Sequence, residues 1–115
     1  MDIDDWRIEI DRVDEELVAL LNRRAQCAIE IGRIKRRHGL PIYTPEREQE
    51  VLRHVAGTSE GPLEAAAVCR LFERIIDESR SLERVTVEHE FAEREGSDND
   101  KQTGRPAEHK VRNRA

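Results

Sequence analysis

The sequence predicts an all-α fold of three helices, long, short and long, with the first helix shared between two copies of the chain. Hydrophobic residues make up 37% of the 115 residues and charged residues 39%, whereas aromatic residues are only 3%. This composition is typical of helices with charged outer faces and aliphatic seams, and it argues against a β-sandwich or barrel. The second observation is the unusual length of the first helical stretch.

That stretch covers residues 3–38. It has no glycine before Gly32, and the first proline of the chain, Pro41, comes only after the stretch ends. Its apolar residues alternate in steps of three and four, which is the heptad spacing of a helix that packs along other helices. The seam comprises Ile3, Trp6, Ile10, Val13, Leu17, Leu20, Cys27, Ile31 and Ile34, with Arg24 where the register requires an apolar residue. Such a helix spans roughly 50 Å, whereas a compact chain of this size has a radius of gyration of about 13 Å. One copy cannot cover the helix, so we predict a homodimer.

The second predicted helix is short and the third is long. Thr44 is an N-cap and Pro45 the first helical residue, a position where proline's missing N–H costs nothing. The second helix is predicted to end at Gly57, and the third helix is predicted to begin at Pro62.

The apolar stripe of the third helix is lost beyond residue 90, where the chain becomes polar and rich in turn-forming residues. We therefore predict one helical domain at residues 1–90 and a disordered polar tail at residues 91–115.

Charge and hydropathy exclude several classes of protein. A net charge of −5 gives no electrostatic reason to expect a nucleic-acid partner. No apolar run approaches the ~18 residues of a membrane span, and the acidic start is the opposite of a signal peptide. Cys27 and Cys69 both lie on apolar helical stripes, which favours reduced core residues over a disulfide or a metal site. The sequence thus predicts a cytoplasmic protein.

Several charged or polar side chains are predicted to point inward, although a buried, unpaired ion costs several kcal/mol. One interpretation is a cationic pocket for an anionic ligand, and the other is an internal salt-bridge network, for example between Arg24 and Glu48. For any one residue the network is the simpler interpretation, whereas the whole set favours the pocket. The set is Arg7, Arg24, Lys35, Arg47, Glu48, Ser79 and Glu83.

These polar positions, at their spacings, resemble the all-helical (type II) class of chorismate mutases over roughly residues 3–87. The matching residues are Arg7, Asp11, Asp14, Leu17, Leu20, Leu21, Arg24, Gly32, Lys35, Pro41, Ile42, Arg47, Glu48, Phe72, Ile75, Ile76 and Ser79. The resemblance implies an intertwined, domain-swapped homodimer with two active sites. It also implies the Claisen rearrangement of chorismate to prephenate, a step toward phenylalanine and tyrosine.

The resemblance also implies a role for each polar residue. Arg24 and Arg7 of the partner subunit would hold the substrate carboxylates in bidentate geometry. Arg47 would add positive potential, and Lys35 would donate to the ether oxygen and to a carboxylate. The remaining contacts are Glu48 with the ring hydroxyl, Ser79 with a carboxylate, and Glu83 with the far side of the ether oxygen.

The chain departs from the family pattern at Thr44, where many members have Asp, and at Glu83, where many bacterial members have Gln. A backbone N–H contact at Thr44 would make the first change harmless, whereas Glu83 can donate to the ether oxygen only when protonated.

The sequence has no obvious nucleophile, metal site or phosphate-binding loop, and a pericyclic rearrangement requires none. Holding the flexible enolpyruvyl arm over the ring and stabilising the charge on the ether oxygen are sufficient. No cofactor is therefore expected.

Three alternatives differ from this interpretation. An isochorismate-pyruvate lyase of the same fold would use a similar pocket, and the Glu48 and Ser79 positions favour the mutase over it. A non-enzymatic helical dimerisation module would have no reason to place Arg24 or Lys35 on a buried face. A DNA-binding helical protein is disfavoured by the acidic balance.

Overall fold

The computed structural model describes the backbone of residues 1–103, and the side chains up to residue 93 except those at 87 and 91. Three helices make up this part of the chain: α1 (Ile3–Arg37), α2 (Pro45–Thr58) and α3 (Ala65–Thr103). No strand occurs within residues 1–103. The predicted all-α architecture, long, short and long, is confirmed.

Both ends of α1 are fixed by local hydrogen bonds. Asp2 and Asp5 form a capping box, in which each backbone N–H donates to the other residue's carboxylate at 2.9–3.0 Å. At the other end Gly39 has a φ of +66°, and the Leu40 N–H donates to the Lys35 carbonyl at 2.8 Å. This is a Schellman motif, which glycine adopts without the strain that a side chain would introduce.

The C-terminal end of α2 and the N-terminal end of α3 each differ from the predicted ends by a few residues. Thr44 is the N-cap of α2, as predicted, but its side chain makes no capping hydrogen bond. The helix then passes through Gly57 to Thr58, and α3 begins at Ala65 rather than at Pro62.

The largest difference lies at the C-terminal end of α3, which continues to Thr103, within the segment expected to be a tail. Residues 92–95, Ala-Glu-Arg-Glu, are good helix formers, and extending an existing helix is far easier than nucleating one. The prediction of a disordered tail at residues 104–115 falls outside the described residues.

Helix α3 packs against both α1 and α2, whereas α1 and α2 do not pack against each other. The pairs Arg24–Ser79, Lys35–Glu83 and Arg33–Glu90 join residues 24–35 of α1 to residues 79–90 of α3. Arg33 donates to Glu90 Oε1 through Nη2 at 2.6 Å and Nε at 2.9 Å, and these bonds raise the pKa of Arg33. They attach the distal part of α3 to the C-terminal end of α1.

The apolar seam predicted for α1 is not the face that packs within this chain. Its buried residues are Ala28, Ile29 and Gly32, while every residue from 1 to 23 is exposed. Exposed seam residues include Ile3, Trp6, Ile10, Val13, Leu17, Leu20, Ile31 and Ile34.

The single chain is accordingly elongated, with a radius of gyration of 19.5 Å.

Cys27 lies on the exposed seam rather than in a core, and the half-buried Cys69 donates to the Leu52 carbonyl at 3.7 Å. Both thiols are free. Over the described residues, none of the helices has a stretch long and apolar enough to cross a bilayer.

Candidate active site

Four of the predicted site residues meet between α1 and α3. Arg24 Nη1 donates to Ser79 Oγ at 2.7 Å, and Lys35 Nζ lies 3.5 Å from Glu83 Oε1. The two acceptors are four residues apart on α3, so they occupy one face of that helix on successive turns. The structure therefore brings two cations of α1 to a single polar strip on α3.

Lys35 is held between α3 and the linker that precedes α2. Besides its contact with Glu83, its ammonium donates to the Ile42 carbonyl at 2.9 Å. The side chain is 17% exposed, so the position of its charge is set by protein groups more than by water. A fixed, poorly hydrated cation of this kind interacts strongly with a nearby anion.

Glu83 is the one buried charged residue in the described part of the chain, at 8% exposure. Burial raises the pKa of its carboxyl, and the positive charges of Lys35 and Arg24 oppose that rise only in part. Its Oε1 atom has no hydrogen-bond partner among the described residues. A buried polar oxygen without a hydrogen bond is costly, and it marks a position where a ligand group can bind.

A second cluster lies beside the first and includes Glu48. Arg80 Nη1 donates to Glu48 Oε2 at 2.9 Å, and Arg80 Nη2 donates to Asp77 Oδ1 at 2.9 Å. The Arg80 guanidinium also lies over the Tyr43 ring, 4.7 Å from its centroid. Arg80 directly follows Ser79 in the sequence, so the two clusters are attached to the same turn of α3.

The salt bridge suggested between Arg24 and Glu48 is wrong, because Glu48 pairs with Arg80 instead. Sequence reasoning missed Arg80 altogether. Its spacing from Asp77 indicated only a local pair on one helix, and nothing in the sequence specifies which turn of α3 faces Glu48. Its position immediately after Ser79 was the one available signal.

Two predicted arginines are not part of either cluster within this chain. Arg7 is 73% exposed and lies 3.8 Å from Asp4, while Arg47 is 70% exposed and lies 3.5 Å from Glu50. Thr44 is half-buried at the start of α2, where it contributes a backbone carbonyl to the first turn. Their roles toward a substrate stay predictions.

The arrangement offers both hydrogen-bond donors and acceptors to a small polar molecule. Arg24 and Lys35 supply fixed donors, Ser79 a hydroxyl, and Glu48 and Glu83 two carboxyl groups in different environments. The described side chains include no group of three or more His, Cys, Asp or Glu residues placed to hold a metal ion.

Comparison with known proteins identifies the family. A family model described as chorismate mutase type II matches residues 6–84. The chain belongs to the type II chorismate mutase family. The resemblance to this family is thereby confirmed, while the roles of the predicted site residues, all within the matched range, stay predictions.

Curated relatives in the family are larger proteins. A bifunctional chorismate mutase/prephenate dehydratase from Aquifex aeolicus is 38% identical over an alignment of 87 residues that covers 72% of this chain and 24% of the relative. The Neisseria gonorrhoeae protein of the same name is 42% identical over 78 residues, 68% of this chain and 21% of the relative. The chain thus spans about a quarter of the length of these curated relatives.

Solved chorismate mutases of single-domain size match over nearly their whole length. The form II structure of the Thermus thermophilus enzyme has a TM-score of 0.70 and 38% identity, and the match covers 71% of this chain and 93% of that one. The Helicobacter pylori enzyme in complex with prephenate has a TM-score of 0.69 and 30% identity, with 75% and 93% covered. The fold of the described helices is therefore the chorismate mutase fold.

Proposed function

We propose that this chain catalyses the Claisen rearrangement of chorismate to prephenate, on the route to phenylalanine and tyrosine. The observation that carries the proposal is the buried Lys35–Glu83 pair, adjacent to Arg24 and Ser79, in a chain of the chorismate mutase family. A structure of the related Helicobacter pylori enzyme contains prephenate. The reactive groups of chorismate, two carboxylates, a ring hydroxyl and an enol ether, match the donors and acceptors of the site.

The chemistry follows from the fixed charges. As the bond between the ether oxygen and the ring breaks, negative charge grows on that oxygen, and the Lys35 ammonium donates to it. Because Lys35 is already held by the Ile42 carbonyl and Glu83, little reorganisation is needed when the charge develops. Arg24 and Ser79 bind a carboxylate and hold the enolpyruvyl arm over the ring, which restricts the substrate to a reactive conformation. No proton transfer or covalent intermediate is required.

The active form in this proposal is an intertwined, domain-swapped homodimer. The first 23 residues are exposed throughout, and the large apolar side chains of their seam have no contact within the described chain that buries them. Exposed apolar surface of this extent is typical of an interface. Arg7 lies on the same segment, so dimerisation would bring Arg7 of the partner subunit to the carboxylate end of each site.

Product analysis tests this function. The purified chain is incubated with chorismate and, separately, with isochorismate, and the products are identified by NMR. We expect prephenate from chorismate, and no salicylate or pyruvate from isochorismate at a comparable rate. Release of pyruvate from isochorismate would assign the chain to the lyase reaction, and inertness toward both substrates would indicate a dimerisation module.

A further inference from the structure

We propose that Arg80 is a positioning residue that fixes the Glu48 carboxylate for the ring hydroxyl of the substrate. This inference rests on the proposed function. Arg80 contacts three separate parts of the chain: Glu48 on α2 at 2.9 Å, Asp77 on its own helix at 2.9 Å, and the Tyr43 ring of the linker at 4.7 Å. An arginine that only neutralised one carboxylate would not require all three of these contacts.

The three contacts restrain the guanidinium in complementary ways. The planar fork directs its Nη1 and Nη2 donors in fixed directions, so bonding Asp77 through Nη2 determines where Nη1 points. Stacking on Tyr43 fixes the plane of the group. Nη1 can then hold Glu48 Oε2 in one place, and Oε1 is left to accept a hydrogen bond. Among the described residues, Arg80 is the only donor to the Glu48 side chain.

The surroundings favour a positioning role over a purely structural one. Glu48 and Arg80 are 24% and 28% exposed, and partly exposed ion pairs contribute little to folding stability. The orientation of a catalytic carboxylate, in contrast, has a large effect on rate, because a misplacement of about 1 Å costs on the order of a hundredfold. Loss of Arg80 should therefore reduce turnover far more than stability.

A double-mutant cycle on the full chain separates these roles. We compare kcat/KM with chorismate for the wild type, Arg80→Ala, Glu48→Gln and the double variant, and record thermal unfolding of each. Arg74→Ala is the matched control, since Arg74 lies on the same helix and pairs with Glu78 at 3.1 Å on the exposed surface. Arg80→Lys keeps the positive charge but removes the planar pair of guanidinium donors. This variant replaces Arg80→Ala in the double-mutant cycle if Arg80→Ala does not fold.

We expect Arg80→Ala to lower kcat/KM by roughly tenfold or more in the wild-type background, and by less than about threefold when Glu48 is already Gln. Arg80→Lys should lie between the wild type and Arg80→Ala, and Arg74→Ala should match the wild type. Equal losses in both backgrounds would overturn the inference, because Arg80 would then act independently of Glu48. A wild type that does not convert chorismate would overturn the proposed function and this inference together, whereas an active wild type with additive losses overturns the inference alone.

Discussion

Lys35 Nζ lies 3.5 Å from Glu83 Oε1, an oxygen that is buried and has no hydrogen bond within the described residues. The Lys35 ammonium is thus close enough to attract the Glu83 carboxylate, but it does not donate a hydrogen bond to Oε1. A substrate ether oxygen bound beside Lys35 would have the Glu83 carboxyl as its other neighbour. Whether that carboxyl carries a proton then decides whether it can donate to the ether oxygen or repels the charge that grows there.

Turnover is expected to rise as the pH falls. Burial raises the pKa of Glu83 above its ordinary value near 4.5, with Lys35 and Arg24 opposing the rise in part. The protonated, donating form of Glu83 therefore increases from neutral toward acidic pH. Glu83→Gln should remove this dependence and raise kcat at about pH 7.5, because an amide always donates. Matching kcat–pH profiles for the wild type and Glu83→Gln would exclude Glu83 from the chemistry.

Glu83 should also make the folded protein less stable at neutral pH than an uncharged isostere would. A raised folded-state pKa means that the native protein binds the proton more tightly than the unfolded chain. The stability associated with this group is therefore fully present below its unfolded pKa, and it is lost as the pH rises through the folded pKa. We expect Glu83→Gln to raise Tm at about pH 7.5, with the difference vanishing toward about pH 4. A lower Tm for the Gln variant at neutral pH would show that the ion pair with Lys35 outweighs the burial.

The proposal that two subunits share each active site can be tested by mixing two inactive variants. Arg24→Ala and Arg7→Ala should each lose roughly a hundredfold in kcat/KM. In a heterodimer of the two, one site would hold Arg24 from one subunit and Arg7 from the other, so an equal mixture should recover about a quarter of the wild-type activity after random exchange.

The matched control for this mixture is Arg7→Ala combined with the Arg7→Ala/Arg24→Ala double variant, in which no site can regain Arg7. Activity in the first mixture and none in the control is the expected pattern. If native mass spectrometry demonstrates exchange while both mixtures stay inactive, the partner's Arg7 does not complete the site.

Residue 90 is expected to mark the functional end of α3. Arg33 donates twice to Glu90, so a chain that stops after Glu90 keeps this link and should retain its fold and most of its kcat. Glu90→Gln in the full-length chain should lower stability by about 1 kcal/mol, measured by urea unfolding. A large loss of kcat on truncation after Glu90 would show instead that the following residues cover the site.

The sequence predicted the helices, and the inward direction of four polar residues, because both depend on local spacing. Asp2, Gly39 and Pro45 lie at helix ends and specify those ends through the chain's own backbone. The recurrence of Arg24 and Lys35 on one helix and of Ser79 and Glu83 on another is likewise a matter of register, and the structure places them opposite one another.

What the sequence did not predict depends on how the helices are rotated against each other. The seam through Leu17 and Ile31 was identified, but it is Ala28 and Ile29 that are buried within the chain. The pairing of Glu48 with Arg80 has the same origin, because periodicity within α2 and α3 does not determine which of their turns meet.

The claim that the α1–α3 interface is the catalytic site is tested most directly by the kcat of Lys35→Met with chorismate. Methionine keeps the unbranched shape of the side chain up to Cε and removes the ammonium group, with its charge and its donors. Arg37→Met, at the exposed end of the same helix, is the control. We predict that Lys35→Met lowers kcat by roughly a hundredfold or more, with the helical circular-dichroism spectrum retained, and that Arg37→Met stays within about threefold of the wild type. A folded Lys35→Met variant with near wild-type kcat would contradict the account.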